Sequence, residues 1–131
     1  MAQYDLLVIG SGPAGQKAAV QAAKLGKTVG IIERKAVVGG VSTNTGTIPS
    51  KALREAVLYL SGFRQRNLYG TGYRLKETVT IEDLAFRSNH IIKNEIEIVK
   101  DQLARNRIDL IFGEARFVDP HRLLVQQAGT A

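Results

Sequence analysis

The sequence predicts an α/β fold with a parallel sheet, long helices and a C-terminal β-hairpin. Two short apolar runs, Tyr4 to Ile9 and Thr28 to Ile32, flank a segment with small residues at helical spacing, which is the pattern of a β-α-β unit. Further along the chain, a long amphipathic stretch precedes a third apolar run and two short strand-like segments.

The β-α-β unit occupies the first 32 residues. Tyr4 to Ile9 is apolar after its first two residues, which is typical of a strand buried on both faces. Pro13 to Leu25 is predicted to be the first helix, with Gly26 at the position where helices commonly end. Thr28 to Ile32 is the second predicted buried strand.

The next predicted helix runs from Ser50 to Gln65. Apolar residues share one face of it, namely Leu53, Ala56, Val57, Leu60 and Phe63. Asn67 to Thr78 contains glycines and aromatic residues without helical or strand periodicity, so we expect an irregular connection there.

A long helix is predicted after Thr80, because Thr80 and Asp83 occupy the two positions of a capping box. Its apolar stripe consists of Leu84, Ile91, Ile92, Ile96, Val99 and Leu103. Ile108 to Phe112 is predicted to be a third strand, and Glu114 to Val118 with Arg122 to Gln126 a hairpin.

Composition narrows the classes of function. The chain of 131 residues has no cysteine, which excludes disulfides, thiolate metal sites and cysteine nucleophiles within it. The net charge of +6 comes from basic residues that are interleaved with Glu and Asp along the chain, and no nucleic-acid-binding motif accompanies them. No nucleic-acid partner is therefore expected. No apolar run is long enough to cross a membrane, and no signal peptide is evident. The absence of cysteine fits a cytoplasmic protein, which we expect. His90 and His121 are isolated, and no metal site is predicted.

A glycine-rich turn separates the first strand from the first helix and has the pattern G-x-G-x-x-G. Gly10 permits the tight turn, Gly12 lets a pyrophosphate approach the backbone, and Gly15 lets the helix pack close to the strand. The helix N-terminus offers free N–H groups to phosphates. We therefore expect Gly10, Gly12, Pro13, Ala14 and Gly15 to contact a dinucleotide in a Rossmann-like fold.

Glu33 follows the second strand, 18 residues beyond Gly15. A carboxylate at this place accepts hydrogen bonds from ribose hydroxyls, and it repels a 2′-phosphate. The residues alone therefore leave two ligands open: NAD, or the ADP half of FAD.

A group of matching segments resembles the flavoprotein pyridine nucleotide–disulfide oxidoreductases. These segments are Val8 to Gly15 (VIGSGPAG), Ile31 to Arg34 (IIER), Gly39-Gly40, Asn44, Gly46 and Ile48 to Lys51 (IPSK). The resemblance implies that FAD is the cofactor, bound in a Rossmann-like domain of which this chain is a part. It also implies that the two redox cysteines of the family fall on Ser42 and Thr47 of this sequence.

Within that family, Thr43 to Gly62 (TNTGTIPSKALREAVLYLSG) is similar to the soluble, Si-specific NAD(P)+ transhydrogenases. This similarity implies hydride transfer between NADPH or NADH and NAD+ or NADP+ through FAD, without a disulfide, in a homodimer or higher homo-oligomer. It assigns no catalytic residue to this chain. The further cofactor-binding residues that it implies are Arg34, Gly39, Gly40, Ser42, Thr47 and Lys51.

Members of the family are several times longer, so residues 1–131 are expected to be the N-terminal part of an FAD-binding domain. The rest of that domain, the NAD(P) domain and the dimerisation domain would lie outside the chain, which we expect to be inactive alone. Two alternatives stay open. One is a non-catalytic FAD- or nucleotide-binding module, and the other is a cysteine-less flavin reductase related to dihydrolipoamide dehydrogenase that uses quinone or oxygen.

Overall fold

The computed structural model describes residues 1–127. A short 3₁₀ turn at Phe63–Gln65 follows the third helix. The other elements, in chain order, are β1 (Leu6–Ile9), α1 (Pro13–Lys24), β2 (Val29–Glu33), α2 (Gly40–Asn44), α3 (Thr47–Leu60), α4 (Arg66–Tyr69), α5 (Ile81–Arg105), β3 (Asp109–Phe112), β4 (Glu114–Asp119) and β5 (Arg122–Gln126).

The first three strands form a parallel sheet in the order β1-β2-β3. Val8 of β1 is opposite Ile31 of β2, which in turn is opposite Leu110 of β3. The carboxyl ends of the three strands therefore meet at one edge of the sheet, where open α/β sheets bind ligands. Strands β4 and β5 pair as an antiparallel hairpin. The predicted α/β fold, with its parallel sheet and C-terminal hairpin, is confirmed.

The core lies on one face of the central strand β2. Val29 and Ile31 alternate along β2 and are at most 2% exposed, so they project to the same face. Their cluster also contains Ala19 and Val20 of α1, and Val99 and Leu103 of α5, together with Val38 and Ile108. Small residues of the first helix and the C-terminal part of the apolar stripe predicted for α5 thus meet over the middle of the sheet.

The prediction that β1 is buried on both faces was wrong. Leu6, Leu7 and Val8 are half-buried and Ile9 is 51% exposed, whereas every residue of β2 is buried. Within the described residues, β1 has a neighbouring strand on one edge, while β2 lies between two strands. Burial of a strand depends on its neighbours, which an apolar run does not reveal.

Helix α3 differs from its predicted bounds at both ends, because it begins at Thr47 and ends at Leu60. Pro49 is accommodated in the first turn, where backbone N–H groups have no partner inside the helix. Gly62 then leaves the helical conformation with φ +65°. The predicted apolar face is only partly covered: Ala56 is buried, but Leu53, Val57 and Phe63 are 38%, 44% and 61% exposed. The connection predicted to be irregular contains the short helix α4.

Helix α5 is the longest element and starts as predicted. Thr80 Oγ1 accepts a hydrogen bond from the Asp83 N–H at 3.3 Å, and the Asp83 carboxylate accepts one from the Thr80 N–H at 2.9 Å. This reciprocal pair is a capping box. Within residues 1–127, neither α5 nor another helix combines the length and the apolar character needed to span a bilayer.

Replacement of Thr80 by alanine tests the importance of this helix start. Thr80→Ala removes the acceptor for the Asp83 N–H, so we expect the free energy of unfolding to fall by about 1 kcal/mol. Urea denaturation followed by circular dichroism measures the change. Thr78→Ala, at an exposed threonine two residues before Thr80, is the matched control and should be close to neutral. Equal effects of the two substitutions would contradict the capping role.

Candidate nucleotide-binding site

The glycine-rich turn lies between β1 and α1, at the carboxyl edge of the parallel sheet. Gly10 has φ +100°, a conformation that favours glycine, and its N–H donates to the Ile32 carbonyl at 2.7 Å. Gly12 is the N-cap of α1, and Pro13 is the first residue of the helix. A Cβ added at Gly12 would meet nothing within 4 Å, so the space in front of the helix N-terminus is open.

Gly15 brings α1 close to the end of β1. A Cβ at this position would lie 2.1 Å from the Gly10 carbonyl oxygen and 3.1 Å from Val8 Cγ1. The first distance is far below van der Waals contact and involves a backbone atom, and the second is a tight contact. The three glycines of the motif therefore have separate roles: a turn at Gly10, an open approach at Gly12 and close packing at Gly15.

Glu33 ends β2 and directs its carboxylate to the turn. Its Oε2 accepts hydrogen bonds from the Ser11 N–H at 3.0 Å and from Ser11 Oγ at 2.6 Å. Its Oε1 accepts one from the Lys35 N–H at 3.0 Å. The residue is only 7% exposed, so the predicted ribose-binding carboxylate is held in one orientation beside the turn.

These hydrogen bonds keep the Glu33 carboxylate charged. Burial alone raises the pKa of a carboxyl group, but the bonds from Ser11, Lys35 and Arg34 outweigh it and hold the pKa of Glu33 below its usual value. The carboxylate is thus ionised at neutral pH. An anion at this place accepts hydroxyl donors and disfavours a second anion such as a 2′-phosphate.

A second loop, Val38 to Gly40, packs against the turn. Gly39 and Gly40 have φ +103° and +64°, and a Cβ at Gly40 would lie 2.9 Å from Gly12 Cα. The Gly39 N–H donates to Ser11 Oγ at 3.1 Å. The predicted contact residues Gly39 and Gly40 are therefore adjacent to the glycine-rich turn.

Asn44 holds this second loop from its other side. Its Nδ2 donates to the Val38 and Gly40 carbonyls, each at 2.9 Å. Asn44 is the last residue of α2, a short helix that sequence reasoning did not predict, because the surrounding glycines and hydroxyl residues have low helix propensity. Its side chain thus ties the carbonyls on both sides of Gly39 to the end of α2.

The edge of the sheet encloses a cavity of about 250 Å³. Its walls are Ile9 and Gly10 at the end of β1, Ile32 to Arg34 at the end of β2, and Gly113 to Ala115 directly after β3. Sequence reasoning missed Gly113, Glu114 and Ala115. The available signal was their position directly after a third parallel strand, where carboxyl ends converge.

The remaining predicted residues lie on or near the second loop and α3. Arg34 is exposed at the mouth of the cavity. Ser42 lies within α2, Thr47 is the first residue of α3, and Lys51 follows one turn later on an exposed face. Within residues 1–127, neither the Ser42 nor the Thr47 hydroxyl has a hydrogen-bond partner, and Lys51 forms no ion pair.

Alanine at two glycines of the turn should separate folding from binding. We expect Gly15→Ala to lower the free energy of unfolding by about 1–3 kcal/mol, because its Cβ meets backbone at 2.1 Å. We expect Gly12→Ala to cost less, at most about 1 kcal/mol, since its Cβ enters open space and only the N-cap preference for glycine over alanine is lost, but to weaken nucleotide binding. Urea denaturation and nucleotide titration measure the two effects. A Gly12→Ala protein that is as unstable as Gly15→Ala would refute the separate roles.

The Glu33 carboxylate should make stability depend on pH. Because its pKa is lower in the folded than in the unfolded chain, the unfolded chain takes up the proton more readily. The stabilisation by the Glu33 carboxylate is therefore present above pH 4.5, the usual pKa of a glutamate, and is lost as the pH falls through the lower pKa of the folded chain. We expect the stability difference between the wild type and Glu33→Gln to shrink on acidification below that value. Denaturation at a series of pH values, with exposed Glu77→Gln as control, measures it; a difference that grows in acid would contradict the assignment.

Curated relatives with similar sequences share one name. The chain is 60% identical over 126 residues to proteins named soluble pyridine nucleotide transhydrogenase in Mycobacterium bovis and Mycobacterium tuberculosis. It is 42% identical over 123 residues to the protein of that name in Chromohalobacter salexigens. These matches cover 96% and 94% of the chain but only 27% and 26% of the relatives. The chain thus spans about a quarter of the length of these relatives.

A solved structure and a family model agree with these relatives. The fold matches the HOCl-induced flavoprotein disulfide reductase RclA of Escherichia coli, in its Cu(II) complex, with a TM-score of 0.77 and 29% identity. The match covers 97% of this chain and 25% of that one. The family model described as FAD dependent oxidoreductase matches residues 5–121. This chain therefore belongs to the FAD dependent oxidoreductase family, whose cofactor is FAD.

Proposed function

We propose that this chain is the N-terminal part of the FAD-binding domain of an oxidoreductase that transfers hydride between NADPH or NADH and NAD+ or NADP+. The observation that carries the proposal is the convergence of an open helix N-terminus at Gly12, a buried ionised Glu33 and the Gly39-Gly40 loop at one edge of the sheet. The printed name of the 60% identical relatives supports the reaction.

The ADP half of FAD fits the described residues. The α1 N-terminus would receive the pyrophosphate through free N–H groups, where Gly12 leaves open space. Glu33 would accept the ribose hydroxyls. The cavity between Arg34 and Ala115 would hold the adenine. It lies directly beside Glu33, and its walls include backbone and apolar groups that suit a flat ring. These three parts follow one another along the edge in the order of the ligand's own groups.

The flavin half is assigned to the second loop and α3. Gly40 is next to Gly12, so the Gly39-Gly40 backbone would contact the chain between pyrophosphate and ring. Ser42, Thr47 and Lys51 would lie closer to the ring, where a lysine stabilises negative charge. When bound, FAD supplies the capacity to accept a hydride and release it again, which no side chain of this sequence has.

The absence of cysteine restricts the acceptor. Transfer of electrons to a thiol substrate requires thiolates, and the positions that correspond to the family's redox cysteines hold Ser42 and Thr47. Hydroxyl groups do not form a reversible disulfide. This part of the protein therefore offers no relay to a thiol substrate, which favours a second nicotinamide nucleotide as acceptor.

Binding of FAD by the 131-residue chain is the first test. We expect FAD to bind at least about a hundredfold more tightly than FMN, because FMN lacks the adenosine half and with it the Glu33 and cavity contacts. Titration followed by flavin fluorescence measures both affinities. Equal affinities would contradict the assignment of the ribose and adenine sites.

Hydride transfer itself is tested with the full-length protein that contains this chain. We expect it to reduce a thionicotinamide analogue of NAD+ with NADPH, and we expect the 131-residue chain alone to be inactive. Quinone, oxygen and a disulfide substrate serve as competing acceptors in parallel assays. Reduction of one of these acceptors without transhydrogenation would overturn the proposed reaction, and binding without reaction in the full-length protein would leave a non-catalytic module.

A further inference from the structure

Ser11 is a fully buried residue in the glycine-rich turn, at a position where the motif specifies no residue type. It is 0% exposed. Its hydroxyl donates to Glu33 Oε2 at 2.6 Å and accepts from the Gly39 N–H at 3.1 Å. Its own N–H also donates to Glu33 Oε2, and its carbonyl accepts from Gln16 Nε2 at 2.7 Å. Every polar group of Ser11 therefore has a partner, and these partners lie in three different segments.

The direction of the hydrogen bonds through this hydroxyl is determined by charge. A carboxylate only accepts, so the single hydroxyl proton of Ser11 must point to Glu33. The lone pairs of the oxygen are then left for the Gly39 N–H, which can only donate. The result is a series of two hydrogen bonds that point in one direction, from the Gly39 N–H to the Ser11 hydroxyl and from that hydroxyl to the negatively charged Glu33 carboxylate. Bonds in such a series strengthen one another in a buried setting.

The segment around Gly39, at the donor end of this series of hydrogen bonds, is tightly restrained. Gly39 is buried and has φ +103°. Its two flanking carbonyls, at Val38 and Gly40, are held by Asn44 Nδ2. Its N–H is held by Ser11 Oγ. Two side chains therefore hold the conformation of this loop: Asn44 from α2, and Ser11 from the side of the proposed nucleotide site.

We propose that Ser11 is a positioning residue that couples recognition of the ribose at Glu33 to the conformation of the Gly39-Gly40 loop. This inference rests on the nucleotide site proposed above. Ribose hydroxyls that donate to Glu33 add partners to the carboxylate and restrict its rotation. Because Ser11 Oγ is bonded to that carboxylate, its position and that of the Gly39 N–H become restricted as well. The adenosine half of a ligand thereby orders the loop assigned to the flavin half.

Hydrogen exchange of the Gly39 amide in the wild-type chain tests the coupling. The probes are ADP and 2′,3′-dideoxy-ADP, each at saturation, with exchange followed by NMR. We expect ADP to slow exchange of the Gly39 amide by about tenfold or more, and dideoxy-ADP to leave it within about twofold of the ligand-free rate. Both ligands place a diphosphate at Gly12, so the comparison separates the ribose route from the direct contact between Gly12 and Gly40.

A pair of serine variants provides the second arm. Ser11→Ala removes the shared hydroxyl, so ADP at a concentration that saturates this variant should no longer slow exchange at Gly39. Ser88→Ala is the matched control, because Ser88 is also a buried serine, 6% exposed, but lies in α5. It should retain the full effect of ADP. If Ser11→Ala does not fold, the two ligands on the wild-type chain still decide the question.

The outcomes distinguish the inference from the proposal beneath it. Failure of ADP to bind the wild-type chain overturns the nucleotide site, and the coupling with it. Binding of ADP with equal protection by dideoxy-ADP, or with full protection in Ser11→Ala, overturns the coupling alone. Protection that requires both the ribose hydroxyls and the Ser11 hydroxyl supports it.

Discussion

The buried charge of Glu33 is the interaction on which the organisation of the site depends. A carboxylate that leaves water is strongly destabilising unless donors replace its hydration. Here the donors come from the turn after β1 and from the residues after β2. The buried Glu33 charge is therefore tolerated only because the glycine-rich turn lies beside it. The same hydrogen bonds hold that turn in place.

The site is built mainly of backbone rather than of reactive side chains. Three glycines allow two chain segments to approach more closely than any Cβ permits: Gly15 at the Gly10 carbonyl, Gly40 at Gly12 Cα and Gly113 at the Gln126 carbonyl. Each approach is located at or near the carboxyl edge of the sheet. Backbone N–H groups and cavities bind and orient a ligand, whereas the reaction then depends on what is bound.

The parts of the fold that sequence reasoning predicted correctly are local. The β-α-β unit, the capping box at Thr80 and the third strand each depend on residues close together in the chain. The errors concern features that depend on distant partners. The exposure of β1 follows from which strands lie beside it, and the uncovered face of α3 follows from which helices pack on it.

The same distinction applies to the candidate site. The glycines and Glu33 could be predicted because their spacing follows from the geometry of one strand-turn-helix unit. Gly113 to Ala115 join the cavity only because β3 pairs with β2, across a separation of about 80 residues that includes α5. Ser11 has no signature in the motif, since its importance arises from Glu33 and Gly39, 22 and 28 positions away.

The presence of hydroxyl rather than thiol groups at Ser42 and Thr47 affects how oxidants react with this segment of the protein. Peroxides and hypochlorous acid attack thiolates first, converting them to sulfenic and then to irreversible sulfinic and sulfonic acids. This sequence contains no cysteine, and its one sulfur atom belongs to Met1, at the solvent-exposed N-terminus. The segment from Ser42 to Thr47 therefore offers such oxidants no thiol to convert.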